Sequence, residues 1–506
     1  MDSSEKTVTP KVDRRRSSQI VNGIDISELD FLGYDYTDEE VKYKDGMLIY
    51  ATIKALVEKL TLHDSSIDSK FIETFLLTFR AFCKPPIFLD HLIERYLIKP
   101  PEGINEQRLD IWRTHKQTAV KIRVNNVLKI WLESYFYIKD DGPILEKLMT
   151  FVSGPIMECM PSVATRLLKN CESLLESYKQ ENESSKLAIS KSMELKKASA
   201  LAKLPNIPPP LPNIGKGIVK SLLTTLPFRI TDLDPMEVAR QLTIMDCKSF
   251  CGILPHELIG LEFSKKDSPS VKYVRMMTDT TNEITSLICD CILKEPDVKK
   301  RCNIVKYFIK VGENLLILKN YNSLIPIVGA LNSSMIARLK RTWAILPPKF
   351  QQTFDQLRKA TDHSKNYAEY RNVLKTTLPP CLPFLGIYLT DLTFTDEGNS
   401  AFQEGGDDRF KLVNFAKYAR TVSIVQEIQK FQVPYNIIEV KELQIRIKAW
   451  LKRANEIWDE DKYYNNSLAL EPRGNKQPAL TTKSKQAVKE LAITDKDVDL
   501  ALVAYF

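Results

Sequence analysis

Glycine is scarce in this sequence, with 17 glycines among 506 residues, about half of the usual share of about 7%. Tight turns and left-handed backbone positions depend on glycine, so a glycine-poor chain favours helices over β-hairpins. No parallel-strand runs alternate with the helical patterns, which argues against a doubly wound sheet. We therefore predict an all-α protein.

Long apolar runs are missing as well. No stretch approaches the ~18 consecutive apolar residues of a membrane-spanning helix, and the first residues lack the apolar core of a secretory signal. Asp2 and the final VAYF argue against myristoylation and prenylation. Nine cysteines, an odd number scattered from Cys83 to Cys381, indicate free thiols in a reducing compartment. We expect a soluble, cytoplasmic protein.

Histidine is rare too, since the chain contains five. His256-Glu257 opens like a zinc-protease motif, but a second histidine one helical turn later is absent. The cysteine pairs 247/251 and 289/291 do not form the double Cys-x-x-Cys set of a structural zinc site, so we interpret them as buried thiols on helices. We predict no metal site.

Signatures of covalent chemistry and cofactor binding are also missing. Residues 215–221 resemble a phosphate-binding loop, but the spacing is wrong and no strand precedes them. The sequence has no Gly-x-Ser-x-Gly elbow, no protein-kinase signature and no dinucleotide-binding fingerprint. We predict no cofactor and no covalent catalysis.

The charge is mildly positive, because 72 basic and 64 acidic residues give a net charge of +8. Nucleic-acid-binding proteins usually concentrate basic residues on one face or stripe. A small excess over the whole chain therefore does not indicate nucleic acid as a partner. Transient contact with an anionic membrane stays open, since clustered lysines bind anionic lipid.

Composition divides the chain into five segments. They are a disordered arm at 1–44, a helical domain at 45–180, a linker at 181–225, a second helical domain at 226–462 and a polar tail at 463–506.

In the arm, Arg14–Arg16 precede two serines, which indicates either a solvated tail or a site for a basophilic kinase. The linker is rich in lysine and contains a proline run at 204–214. It is either a semi-rigid spacer or a docking site for an SH3-type partner or anionic lipid.

Helical periodicity supports both domains. One apolar stripe of the first domain is formed by Ile49, Ile53, Leu56 and Leu60. Asp68 is placed to cap a following aromatic-rich helix. In the second domain, Asp234 at the N-cap, Pro235 at the first position and Glu237 at the third predict a helix start closed by a capping box.

The segment 378–399 predicts the first helix of a hairpin. The helix runs from about Phe384, and Gly398 is well placed to end it. On one face lie Thr390, Thr393 or Phe394, and Glu397. A second helix carries the apolar stripe Phe415, Tyr418, Val422 and Val425. By pattern alone the hairpin presents a carboxylate, and Glu397 is no more than a solvated residue at a helix end.

This segment resembles the catalytic domain of Ras guanine-nucleotide exchange factors. The resemblance rests on residues 380–384, 386–392 and 397–399, with Leu382 in place of the usual valine. Further matches are Arg-Gln-Leu-Thr at 240–243, Pro-His-Glu-Leu-Ile-Gly at 255–260, Thr-Thr-Asn at 280–282 and Ala-Leu-Asn-Ser-Ser at 330–334. Residues 71–82 and 123–131 are similar to the Ras exchanger motif domain that precedes the catalytic domain in many members.

The resemblance implies two helical domains, the second carrying a protruding helical hairpin, and a mechanism with no covalent step. In this family the hairpin inserts beside the nucleotide site of a small GTPase and displaces its first switch. The glutamate at the position of Glu397 engages the GTPase serine that otherwise serves magnesium and phosphate. A factor that prefers the nucleotide-free GTPase must weaken nucleotide binding by the same ratio.

The resemblance also implies individual site residues. Those in the catalytic group are Glu397, Thr393 and Asn332, and those in the GTPase-binding group are Phe384, Thr390, Asp391, Thr278 and Asn282. Members of the son-of-sevenless type carry a GTPase-contacting arginine at the position of Thr278 and a leucine against the magnesium site at that of Thr393. The smaller Thr393 excludes magnesium less and leaves more to Glu397. For Phe384, core packing is favoured over contact with the GTPase.

Three functional hypotheses follow. The first is an active exchange factor for a Ras-family GTPase of the Ras or Rap type; the second is a GTPase-binding scaffold without exchange; the third is a nucleic-acid or membrane binder driven by charge. Glu397 and Asn332 favour the first. It implies recruitment to the inner face of the plasma membrane, where lipidated substrates reside, and it leaves open whether residues 45–180 also bind a second, regulatory GTPase.

Overall fold

The structure, a computed structural model, describes residues 20–21, 24–25, 30–66, 68–180, 208–224, 228–266, 268–403 and 410–473. Helices dominate these ranges and the strands within them are short, which confirms the predicted all-α class. Three predicted features lie outside the described residues: the basic motif at Arg14–Arg16, the linker up to residue 207 and the tail after residue 473.

The chain divides into two compact units. Unit 1 contains the described residues up to 180 together with 259–261 and 391–425, and unit 2 contains residues 208–258, 262–390 and 426–473. The hairpin predicted within the second domain is therefore shared, because each of its helices has residues in both units.

Unit 1 contains short strands and, within its described part up to residue 180, nine α-helices joined by short 3-10 and π-helical segments. The strands are β1 Ile20–Val21, β2 Ile24–Asp25, β3 Val41–Lys44 and β4 Met47–Ala51. The helices are α1 Ile53–Leu60, α2 Ser69–Thr78, α3 Pro85–Tyr96, α4 Glu106–Trp112, α5 Thr118–Ile130, α6 Ile138–Asp141, α7 Leu145–Phe151, α8 Met157–Cys159 and α9 Pro161–Gln180. Asp68 caps α2 as predicted, since its carboxylate accepts from the Phe71 N–H at 2.9 Å. Ile49 lies in β4, not in the predicted helix.

Residues 30–44 are tied to the folded part of unit 1. The Asp35 carboxylate pairs with Lys116 at 2.8 Å and with Arg95. The backbone N–H of Asp35 donates to the Glu58 carboxylate at 2.9 Å. Lys116 also donates to the Gly33 carbonyl at 2.6 Å. Ordered structure therefore starts before residue 45, where the sequence analysis places the end of the arm.

The core of unit 1 is aromatic, as the sequence indicates. The Phe88 ring lies 4.8 Å from Trp131, 4.8 Å from Phe79 and 4.9 Å from Phe75, measured between ring centroids. All four side chains are completely buried. Such rings supply much of the apolar area that a helical core buries, and their tilted contacts add specificity.

The described hairpin residues 391–403 and 410–425 pack into this same unit. The strand β5, Val413–Asn414, pairs antiparallel with β4, and Asn414 stands opposite Tyr50. The Phe415 ring lies 4.8 Å from Phe71, and the Tyr418 ring lies 4.8 Å from Phe82. Both rings belong to the core of unit 1.

The regular elements in the described part of unit 2 are helices. Its helices, including the two shared ones, are α10 Lys216–Thr224, α11 Pro235–Gly252, α12 Pro255–Leu258, α13 Tyr273–Leu293, α14 Val298–Ile317, α15 Tyr321–Asn332, α16 Ser334–Ala337, α17 Lys340–Ala344, α18 Pro348–Ala360, α19 Ser364–Thr376, α20 Leu385–Glu397, α21 Phe415–Lys430, α22 Lys441–Glu456 and α23 Glu460–Leu470.

The start of α11 follows the predicted cap but not the capping box. Asp234 accepts from the Met236 N–H at 2.9 Å, and Pro235 occupies the first turn. The Glu237 carboxylate instead accepts from the Asn213 N–H at 2.9 Å and from the Gln241 amide at 2.7 Å. Glu237 thus fixes the end of the proline-rich segment on unit 2.

A buried polar cluster holds α15 against α11. The Asp246 carboxylate accepts from Ser323 Oγ at 2.6 Å and from Asn320 Nδ2 at 3.0 Å. Asn320 in turn caps α15, because its Oδ1 accepts from the Ser323 N–H at 3.0 Å. Burial raises the pKa of Asp246. These hydrogen bonds fix the helix that ends at Asn332.

Candidate functional site

Helix α20 carries four of the predicted site residues. Thr390 and Glu397 are exposed, and Asp391 and Thr393 are half-buried. The Phe394 side chain is 69% exposed. Residues spaced by three or four positions share a helix face. The helix therefore presents a hydroxyl, an aromatic ring and a carboxylate side by side.

The C-terminal end of α20 is held by a buried lysine. Lys417 Nζ donates to the Asp396 carbonyl oxygen at 3.0 Å and lies 2.9 Å from Asp396 Oδ1. Lys417 is only 7% exposed. A cation at a helix C-terminus stabilises the carbonyl groups that have no partner within the helix. Lys417 thus fixes the turn that carries Glu397.

Two further donors close the same turn. The Gly398 N–H donates to the Phe394 carbonyl at 3.0 Å, and Asn399 Nδ2 donates to the Thr395 carbonyl at 2.9 Å. A Cβ atom at position 398 would lie 2.7 Å from the Phe394 carbonyl oxygen. Glycine is required there because of this close approach, and the predicted helix stop at Gly398 is confirmed.

The N-terminal end of α20 is anchored within unit 2. The Phe384 N–H donates to the Tyr370 hydroxyl at 2.8 Å. Burial raises the pKa of Tyr370 well above its usual value, so the hydroxyl stays neutral. Leu382 is bound on both sides: its N–H donates to the Lys319 carbonyl at 3.0 Å, and its carbonyl accepts from the Tyr321 N–H at 2.9 Å.

Phe384 is half-buried and has an aromatic neighbour. Its ring lies 6.3 Å from that of Tyr367. Tyr367 has a φ of 58°, and the two preceding residues, Lys365 and Asn366, have φ values of 50° and 56°. Three successive left-handed residues without glycine are unusual. The sequence analysis missed Tyr367, and the turn-forming Asn366 is its only local signal.

Thr278 and Asn282 are exposed on adjacent turns of α13. Thr278 Oγ1 donates to the Val274 carbonyl at 3.0 Å.

The start of α13 is held by Glu257, which is 1% exposed and accepts from the Tyr273 N–H at 2.8 Å and the Val274 N–H at 3.0 Å. Glu257 therefore has a structural role, and the sequence analysis did not anticipate it.

Asn332 is exposed at the end of α15. Its Oδ1 accepts from Arg358 Nε at 2.7 Å. The Arg358 guanidinium lies 4.6 Å from the centroid of the Phe354 ring, which stacks on Trp343 at 5.3 Å. The structure thus gives Asn332 a partner on α18 that the sequence did not indicate.

These surfaces carry polar groups without the geometry of a metal site. No group of three or more His, Cys, Asp or Glu side chains in the described ranges could hold a metal ion. None of the nine cysteines forms a disulfide, and burial raises the pKa of the Cys289 thiol to about 12. A protonated, buried thiol is neither a ligand nor a nucleophile at neutral pH. No helix in the described part is long and apolar enough to cross a membrane.

Comparison with known proteins gives matches along most of the chain. Residues 237–419 match the family model of the RasGEF domain, and residues 47–151 match that of the RasGEF N-terminal motif. Cell division control protein 25 of Candida albicans is 34% identical over 429 residues, which are 83% of this chain and 30% of that protein.

Two further relatives match a similar share of this chain. Ras guanine nucleotide exchange factor A of Dictyostelium discoideum is 32% identical over 445 residues, covering 87% of this chain and 66% of its own length. Protein son of sevenless of Drosophila melanogaster is 30% identical over 465 residues, which are 85% of this chain and 27% of that protein. The chain thus spans between 27% and 66% of the length of these three relatives.

Proposed function

This chain belongs to the Ras guanine-nucleotide exchange factor family, with the N-terminal motif ahead of its RasGEF domain, and we propose that it promotes GDP release and GTP loading on a Ras-family small GTPase. The observation that carries the proposal is the fixed last turn of α20. There Lys417 holds the backbone while the neighbouring Glu397 stays exposed.

The proposed mechanism is displacement without covalent chemistry. Helix α20 inserts beside the nucleotide site, and the Glu397 carboxylate engages the GTPase serine that otherwise serves magnesium and phosphate. A carboxylate held on a rigid helix suits this task, because a mobile group would lose conformational entropy on binding. The exchange factor then stabilises the nucleotide-free GTPase, and each tenfold weakening of nucleotide binding needs about 1.4 kcal/mol of differential contact.

Two residues adjust this mechanism. Thr393 is half-buried on α20 and carries a short side chain, so steric exclusion of magnesium is weak and Glu397 supplies most of the effect. Thr278 is exposed, and its hydroxyl already donates to its own helix. Its contribution to GTPase binding is therefore small compared with that of a charged side chain.

Unit 1 is proposed to support the hairpin. The start of α21 shares its core, through the ring contacts of Phe415 with Phe71 and of Tyr418 with Phe82. The pairing of β5 with β4 adds backbone hydrogen bonds to these contacts. A hairpin held near its turn in this way can displace a switch segment without collapsing.

The site of action is proposed to be the inner face of the plasma membrane, where lipidated GTPases reside. The substrate is of the Ras or Rap type. A second, regulatory GTPase would appear as faster release when a GTP-loaded GTPase is added to the reaction.

Release of a fluorescent GDP analogue from a panel of Ras and Rap proteins tests the proposal. Acceleration of release over the intrinsic rate supports exchange and identifies the substrate. The alternative function is a GTPase-binding scaffold without exchange. It predicts binding of at least one GTPase in the panel with no change in its release rate.

A further inference from the structure

We propose that Arg358 is a positioning residue for Asn332, and that it turns the Asn332 NH2 group outward as a hydrogen-bond donor for a carbonyl or carboxylate oxygen on the GTPase. The inference rests on the proposed function and concerns two residues on different helices, α15 and α18. It starts from the orientation of the Asn332 amide.

The hydrogen bond from Arg358 decides which half of that amide faces outward. Asn332 Oδ1 accepts from Arg358 Nε at 2.7 Å, so the NH2 group points away from the arginine. Among the described residues, no acceptor lies within hydrogen-bond distance of this NH2 group. Asn332 is exposed, and both of its N–H donors are therefore available to a partner.

Arg358 is itself held in place. Its guanidinium stacks over Phe354 at 4.6 Å, and Phe354 is 1% exposed against Trp343. Asp355 Oδ1 lies 3.8 Å from Arg358 Nη1. The arginine side chain remains 46% exposed. The guanidinium is therefore held in place while part of it still faces solvent.

The chemistry of the pair selects an acceptor. Arginine carries only donors, and an asparagine whose oxygen is occupied offers only its NH2 group. Without Arg358 the amide is free to rotate and to present its oxygen, which would repel the same acceptor.

A double-mutant cycle on exchange tests the coupling. Nucleotide release is measured with wild type, Asn332→Ala, Arg358→Ala and the double variant. Each single change is expected to lower kcat/KM about three- to tenfold, the effect of one hydrogen bond. The double variant should be no slower than Asn332→Ala alone, because Arg358 acts through Asn332. Arg358→Lys keeps a donor and should restore part of the activity.

The matched control is Lys359→Ala. Lys359 is the next residue of α18, is exposed and loses the same charge. Its kcat/KM should stay within about twofold of wild type, since exposed charges act weakly. An equal loss in Lys359→Ala would assign the effect of Arg358 to general charge and overturn the inference.

Other results also overturn it. These are an unchanged rate in Arg358→Ala, a double variant whose loss is the product of the single losses, and a lowered thermal midpoint in Arg358→Ala with no change in release. If wild type binds a GTPase but does not accelerate release, the proposed function fails, and the same cycle measured on the dissociation constant tests the pair. If no GTPase binds, both proposals fail.

Discussion

Lys417 Nζ lies 2.9 Å from Asp396 Oδ1 and donates to the Asp396 carbonyl oxygen at 3.0 Å. Asp396 precedes Glu397, the residue to which we assign the central role in nucleotide release. A lysine of one hairpin helix thus holds the last turn of the other helix. The position of the carboxylate depends on this contact.

Replacement of Lys417 by methionine tests this dependence. The change keeps the length of the side chain but removes the donor, so the Asp396 carbonyl and carboxylate lose their partner. We expect the free energy of unfolding to fall by about 1–3 kcal/mol, and kcat for nucleotide release to fall more than KM rises. Urea unfolding and exchange kinetics measure the two effects.

Arg420→Met is the matched control for stability. Arg420 is exposed on the same helix, and its loss should change the free energy of unfolding by less than about 0.5 kcal/mol. A Lys417→Met protein as stable and as active as wild type would show that the contact does not position Glu397.

Gly398→Ala should disturb the same turn by a different route. The new Cβ would stand 2.7 Å from the Phe394 carbonyl oxygen, so the backbone after Glu397 has to move. We expect a lower thermal midpoint and slower exchange. Gly329 is the matched control, because it lies in α15 with nothing within 4 Å of an added Cβ. Gly329→Ala should raise stability by about 0.5–1 kcal/mol, and opposite signs for the two variants are the expected result in thermal denaturation.

Glu471 gives unit 2 a pH-dependent stability. Its carboxylate accepts from the Arg341 N–H at 2.8 Å and from Thr342 Oγ1 at 2.8 Å, and it pairs with the buried Arg301 at 3.0 Å. Burial alone would raise the pKa of Glu471, but these partners outweigh it and lower the pKa below the usual 4.5. The stabilisation is therefore complete above pH 4.5 and is lost as the pH falls through the folded-state pKa.

Glu471→Gln tests this relationship. We expect the variant to be less stable than wild type at pH 7 by about 1–3 kcal/mol, and the difference to shrink below pH 4.5. Urea unfolding across that range measures it. Glu460→Gln, at an exposed position in the first turn of α23, should cost less than about 1 kcal/mol. A difference for Glu471→Gln that is constant with pH would contradict the assigned charge pairing.

The sequence predicts those parts of the structure that local rules govern. Helix α20 begins and ends within one residue of the predicted bounds, because Gly398 is a local stop signal. The caps at Asp68 and Asp234 follow from side-chain chemistry alone. In each case the deciding interaction lies within four residues in the chain.

Interactions between distant residues escape this reasoning. Lys417 and Asp396 are 21 positions apart, and Arg358 and Asn332 are 26 apart. Glu237 has the spacing of a capping box but binds Asn213, since the folded chain offers a nearer donor. Asp45-Gly46 is a local signal that the sequence analysis does not use. Both residues have positive φ, and such a pair is a typical turn between two strands. It connects β3 and β4, and Ile49 therefore lies in a strand and not in the predicted helix.

The most direct test of the central claim compares wild type with Glu397→Ala and Glu397→Gln in fluorescent GDP release from the responsive GTPase. Glu397 is exposed at the end of α20, so its loss should leave the thermal midpoint unchanged. We predict that both variants bind the GTPase and lose at least about tenfold in kcat, a change of about 1.4 kcal/mol in the barrier. Release by Glu397→Ala at the wild-type rate would contradict the account.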